Sequence, residues 1–128
     1  MFRRKRIYEA MEESDGYRVL VDRLWPRGVK KEEAQLDAWL KEIAPSADLR
    51  QVYHQGDLDF DTFSQAYEGE LEANEEIQEA CLDLARRARD HRVTLLYASK
   101  NEEENHVLVL EAYLASLLKG IRTDLEGD

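Results

Sequence analysis

The chain has 128 residues, 43% hydrophobic and 36% charged, with a formal net charge of −10. That size suits one domain with a real core, and that mixture excludes a disordered chain or a membrane span, since no apolar run approaches the roughly 18 residues a bilayer crossing needs. The one cysteine, Cys81, excludes an internal disulfide or a cysteine zinc cage. It is consistent with a reducing cytoplasm.

The basic opening MFRRKR is followed by Ile7-Tyr8-Glu9, not by the long apolar segment of a secretory signal. A cytoplasmic protein without membrane contact is expected. Residues 4–8 read as a short edge strand, with charge on the edge, and residues 12–16 as a turn. A strand follows over residues 17–23, where Val19-Leu20-Val21 is apolar enough for burial on both faces. Trp25-Pro26-Arg27-Gly28 then fits a type I turn, with proline supplying the fixed φ of its second position.

Leu36, Trp39, Leu40 and Ile43 recur at helical spacing, which predicts an amphipathic helix over residues 31–44, ended by Pro45. Ser46 is placed to cap a further helical turn that delivers Tyr53 and His54. Phe60, Phe63, Tyr67 and Leu71 share one helical face, and Ile77, Cys81, Leu84 and Ala88 continue a similar face after Asn74, so two helices with a break near Ala73-Asn74 are expected, with one long, bent helix as the alternative. Residues 93–98 form a second buried strand. Asn101 with Glu104 makes a capping pair for a last helix that buries Val107, Leu110, Leu114 and Leu117 and ends at Gly120.

Two apolar strands joined by a long helical connection cannot be a hairpin, so they belong to a parallel sheet with a right-handed crossover. The fold class is therefore α/β: a small single domain over residues 1–128, with a short, mainly parallel sheet and several helices. Parallel strands point one way, which brings Asp22-Arg23 and Ser99-Lys100 to the same sheet edge. Ligands of α/β proteins bind at such edges.

Charge is concentrated there as well. Residues 1–31 hold nine Lys/Arg against five Asp/Glu, whereas residues 32–128 hold nine against twenty-three. The overall acidity argues against extended nucleic-acid binding, which rests on clustered cations neutralising phosphates. A local anion site is allowed, with Arg23, Arg27, Lys30, Lys31 and Lys100 as its cations and Arg27 at its centre, against the plain alternative that Asp22 pairs with Arg23 or Lys100 and that Lys30 and Lys31 are solvated. Trp25, Asn101 and Asn105 complete the candidate ligand-binding set, against the plain alternatives that Trp25 packs and Asn101 caps a helix.

His54 and His106 are the candidate proton carriers, because imidazole titrates near neutrality, and Asp22 is the group to orient a histidine or cation. Glu102, Glu103 and Glu104 at the start of the last helix oppose a phosphate cradle there, and neither GxxxxGK[ST] nor GxGxxG occurs. His54 with Asp57 and Asp59 has ligand types without a recognised metal spacing, and Cys81 lies on an apolar face. No metal and no cofactor are expected.

The segments DGYRVLVDRLWPRGVKK, LDAWLKEIAPSADLR and TLLYASKNEEENHVLVL together resemble the bacterial YeaO-like family, within the grouping labelled domain of unknown function 488. The resemblance spans about residues 5–118. It implies a single small α/β domain and carries over Asp22, Arg23, Trp25, Pro26, Arg27, Gly28, Pro45, Ser46, Leu49, Arg50, His54, Lys100, Asn101, Asn105 and His106 as motif positions. Near Val52 family members often have a bulkier residue. The function expected is binding of a small anionic ligand, phosphate- or nucleotide-like, with catalysis by His54 or His106 left open. The alternative is a noncatalytic module whose basic turn docks an acidic partner or a nucleic-acid end. Oligomeric state is not legible in the sequence.

Overall fold

The computed structural model describes residues 1–102 and 104–126, with side chains described to residue 121. Its centre is strand β4 (Val93–Tyr97), buried at all five positions. Strands β1 (Phe2–Arg6), β2 (Tyr17–Leu20) and β3 (Ala38–Trp39) join it in the order β1-β4-β2-β3, and every pairing is parallel. The fold is α/β, as the two apolar strands and their long helical connection require. Strand alternation sorts the side chains onto two faces. Val19, Val21, Val93, Leu95 and Tyr97 enter the larger core beneath the helices, while Leu20 and Leu96 enter a smaller one with Ile7, Ala34 and the rims of Trp25 and Trp39.

The larger core is closed by α3 (Phe60–Ala73), α4 (Glu75–Asp90) and α5 (His106–Glu126). Phe63, Tyr67 and Leu71 of α3 face Cys81, Leu84, Ala85 and Ala88 of α4 and Val107, Leu110 and Leu114 of α5. Asn74 separates the first two helices as expected, its side chain accepting from the amides of Glu76 and Ile77 at the α4 start. The last helix runs through Gly120 instead of ending there. No helix among the described residues is long and apolar enough to cross a membrane.

The smaller face is only partly apolar. Beside Leu20 and Leu96 it holds a fully buried Asp15, which accepts from Lys5 Nζ at 3.1 and 3.2 Å, from Arg18 Nη1, and from the Glu12 amide at 3.1 Å. Lys5 and Arg18 are themselves 5% and 3% exposed, and the Glu12 carboxylate, 3.1 Å from Lys5 Nζ, supplies the second negative charge that balances the two cations. Gly16 is obligatory next to this node: its φ is +66°, and a Cβ there would lie 2.3 Å from the Arg92 carbonyl oxygen.

The segment after β2 departs from the sequence pattern. In place of a helix over residues 31–44 there is one helical turn, α1 (Lys31–Ala34), a left-handed Gln35 at φ +48°, the short β3 and a 3-10 turn (Lys41–Ile43). The apolar residues do recur at helical spacing, but their burial sites lie in different cores: Leu36 and Trp39 pack in the smaller one, Leu40 and Ile43 in the larger. Arg18 captures the carbonyls of Ala34 at 2.8 Å and Gln35 at 3.1 Å, groups a continued helix would need, and the exposed edge of β2 then pairs with β3. The basic turn is also displaced by one residue. The Val29 amide bonds the Pro26 carbonyl at 3.4 Å and Gly28 has φ +80°, so proline opens the turn and glycine takes its third position, as in type II.

Removing the charge of Asp15 leaves the buried Arg18 without a counterion and the buried Lys5 with only the exposed Glu12 carboxylate, 3.1 Å from its Nζ. Asp15→Asn is expected to lower unfolding free energy by about 3–5 kcal/mol, measured by urea denaturation. Burial pushes the Asp15 carboxyl up, but the Glu12 amide, Lys5 and Arg18 outweigh it and hold it below the ordinary 3.8. Its contribution is therefore complete above pH 3.8 and is lost as pH falls below that toward the lowered value. The D15N protein should lack this acid-sensitive component, and equal acid sensitivity in the two proteins would refute the assignment.

Candidate functional site

The carboxyl ends of β2 and β4 stop side by side, and Asp22 joins them. Its Oδ2 accepts from the Ala98 amide at 2.9 Å, its carbonyl accepts from Trp39 Nε1 at 2.7 Å, and its Oδ1 lies 3.3 Å from His106 Nε2. The same imidazole nitrogen is 3.0 Å from the Val21 carbonyl oxygen. A carbonyl only accepts, so Nε2 carries the proton and donates to both oxygens; neutral His106 then has its lone pair on Nδ1. Burial lowers the His106 pKa more than Asp22 and Val21 raise it, with Arg50 lowering it further. Burial raises Asp22 against the opposing pull of His106, the Ala98 amide and Arg50.

Helix α2 (Ala47–His54) forms one wall above this pair. Ser46 caps it by accepting from the Leu49 amide at 3.1 Å, and Glu70 of α3 grips both the Ser46 hydroxyl at 2.6 Å and its amide at 2.8 Å. This anchoring aims Arg50, Tyr53 and His54 at a common hollow. Tyr53 stacks on Phe63 with ring centroids 4.3 Å apart, which braces the same wall. The opposite wall is the Trp25-Pro26-Arg27 segment, where Tyr8 donates its hydroxyl hydrogen to the Arg27 carbonyl at 2.9 Å. Between them lies an open cavity of about 410 Å³.

Of the candidate residues, Asp22, Arg23, Trp25, Arg27, His54, Asn105 and His106 line this cavity, and Lys100 and Asn101 do not. Several are committed elsewhere. Arg23 donates to the carbonyls of Pro45 at 3.2 Å and Ala44 at 3.3 Å, and Trp25 donates to the Val29 carbonyl at 2.7 Å while packing edge-on against Trp39. Asn105 donates to the Asn101 carbonyl and accepts from the Val107 amide, and Asn101 accepts from the Glu104 amide. Both asparagines shape the approach to α5, which begins at His106, later than the capping pair suggests. His54 stands exposed at the rim, its ring 5.9 Å from Tyr53. Asp59, weighed with His54 as a metal ligand, caps α3 through the Thr62 amide.

Arg50 is the residue that chemical reading of the sequence left out of the site. It is half-buried, lines the cavity and acts electrostatically on both Asp22 and His106, and its guanidinium makes no hydrogen bond or ion pair with a described residue. The signal was its spacing: four residues before His54 on a capped helix, it shares that residue's face. Glu104 also lines the cavity, whereas Glu102 lines a separate hollow beside β1, and Glu103 lies outside the described residues. Among the described residues no group of three His, Cys, Asp or Glu is placed to hold a metal. Burial pushes the Cys81 thiol up to about 12, which suits a core residue.

A family model described as the inactive DUF488-N3 subclade matches residues 1–126. The chain is 48% identical to uncharacterized protein YeaO of Escherichia coli (strain K12) over 113 residues, 88% of this chain and 96% of that one. It is 36% identical over 115 residues to uncharacterized protein Rv3073c of Mycobacterium tuberculosis and to uncharacterized protein Mb3100c of Mycobacterium bovis, covering 90% of this chain and 91% of each. No solved structure matches.

In an NMR titration of the imidazoles, His106 should appear as the Nε2–H tautomer with a midpoint below the ordinary 6.5. Asp22→Asn removes a carboxylate that raises this pKa and should move the midpoint lower still. A midpoint at or above 6.5, or an upward move in D22N, would contradict the pairing.

Proposed function

The chain belongs to the YeaO-like DUF488 family, and from that premise we propose that it is a noncatalytic domain that binds a small anion in the cavity over Asp22 and His106. The observation that carries this reading is Arg50, a half-buried guanidinium with no bonded partner among the described residues, lining the same hollow as the exposed Arg27. A buried or half-buried charge is costly unless paired, and an anion would supply the missing partner. Arg offers that anion a planar fork and fixed geometry.

Binding without turnover agrees with the description of the matching subclade as inactive. It also agrees with the chemistry of the floor. His106 Nε2 is bonded to a backbone carbonyl and to Asp22, so the imidazole is held in place as a neutral strut. A catalytic version would need His106 Nδ1 or the exposed His54 to carry the proton, with Asp22 orienting the ring. The docking alternative calls for a convex basic cluster, and the concavity of the site supports a ligand over a partner surface. The proposal keeps the domain in the cytoplasm, a placement supported by its single buried thiol.

The test is an amide NMR titration of the protein with inorganic phosphate, sulfate, acetate and benzoate. Shifts should concentrate at Asp22, Arg27, Arg50, Tyr53 and His106, and Arg50→Ala should weaken the best-bound anion about tenfold or more, as loss of a charge-assisted hydrogen bond does. Arg27→Ala should weaken it less, because that side chain is exposed. Absence of localised shifts with every anion, or R50A binding equal to the parent with an unchanged thermal midpoint, would overturn the proposal.

A further inference from the structure

The charges around the cavity are nearly balanced, which restricts what an occupant can carry. Among the described residues, three guanidiniums, Arg23, Arg27 and Arg50, line it against two carboxylates, Asp22 and Glu104, so with the imidazoles neutral the lining sums to one positive charge. A monoanion makes the occupied site neutral. A dianion would bring a second charge beside Asp22 and Glu104 with no cation to match it, at a cost that grows as water is excluded.

Size and lining restrict the occupant further. A water molecule takes a share of about 30 Å³ in the liquid, and a bare oxyanion only a few times that, so a simple ion would leave most of the 410 Å³ cavity to solvent. Much of the remaining wall is apolar or aromatic: Tyr8, Leu24, Trp25, Pro26 and Tyr53. Leu24 is 65% and Tyr8 48% exposed, large hydrophobic side chains left open to water on a heavily charged protein. Sites for organic ligands combine such apolar area with a few convergent polar groups.

Resting on the anion-binding reading above, we propose that the ligand is a monocarboxylate with a flat apolar body, of the arylalkanoate class. Its carboxylate lies on Arg50 near the Asp22–His106 floor, with Arg27 at the rim, and its body lies against Leu24, Trp25 and Tyr53. Glu104 acts as the selectivity element by repelling a second negative charge.

Four probes separate the terms: 3-phenylpropionate, acetate, phenyl phosphate and inorganic phosphate, titrated near pH 7.5 against intrinsic tryptophan fluorescence and amide NMR shifts. The aryl carboxylate should bind at least about tenfold more tightly than acetate, through burial of its ring, and more tightly than phenyl phosphate. Glu104→Gln should narrow the gap to phenyl phosphate, and Arg50→Ala should abolish the preference for 3-phenylpropionate over a neutral analogue, 3-phenylpropanamide. Acetate or inorganic phosphate binding as tightly as 3-phenylpropionate would overturn the apolar-body assignment while leaving an anion site. Phenyl phosphate binding more tightly would overturn the monoanion assignment. Failure of all four probes would remove the anion site itself.

Discussion

The buried carboxylate of Asp15 is the constraint on which the rest of the chain depends. It gathers Lys5 from β1 and Arg18 from β2, while its carbonyl accepts from Thr94 of β4 at 2.6 Å, so three strands are tied by one residue. Buried ion pairs add little net stability compared with an apolar replacement, but they penalise any arrangement that leaves one charge unpaired. Here the consequence is geometric. With Arg18 drawn inward, its remaining donors seize the carbonyls of Ala34 and Gln35, the chain turns back at residue 35, and β3 forms on the open edge of β2.

The candidate site follows from that detour. The short β3 places Trp39, whose indole N–H holds the carbonyl of Asp22, and the 3-10 turn after it delivers Ile43, whose carbonyl takes the hydroxyl hydrogen of the buried Tyr67. From there Pro45 and Ser46 start α2 in the one place where Glu70 can grip its cap. A helix through residues 31–44 would have carried α2, and Arg50 with it, away from the sheet edge. The site is thus assembled by loops that compete with helix formation, on a scaffold of strands that do not.

How much of this was legible in the sequence depended on whether a signal was local. Val19-Leu20-Val21 and the run from Val93 to Tyr97 announced buried strands because a strand covered on both faces must be apolar throughout. Ser46 announced a helix start because capping needs only neighbouring amides. That Asp22-Arg23 and Ser99-Lys100 share one sheet edge followed from strand direction alone, whereas His54 reaches the cavity through α2, whose place the detour after β2 sets. By contrast, the roles of Arg23, Trp25, Asn101 and Asn105 hung on which backbone groups happened to lie within reach, and the even spacing of Leu36, Trp39, Leu40 and Ile43 could not reveal that two different cores would receive them.

By itself, then, the sequence determined the α/β class, the edge at which basic and imidazole groups gather, and the family, since all three rest on hydrophobic period, strand direction and motif. Tertiary structure alone decided which guanidinium donors there are spent and which are spare. Arg23 and Arg50 are the same residue type on neighbouring segments, yet one is consumed by the carbonyls of Ala44 and Pro45 and the other faces the cavity without a bonded partner among the described residues. The physical reason is that a guanidinium's role is set by the acceptors within about 3 Å of it, and those acceptors come from parts of the chain that only folding brings together.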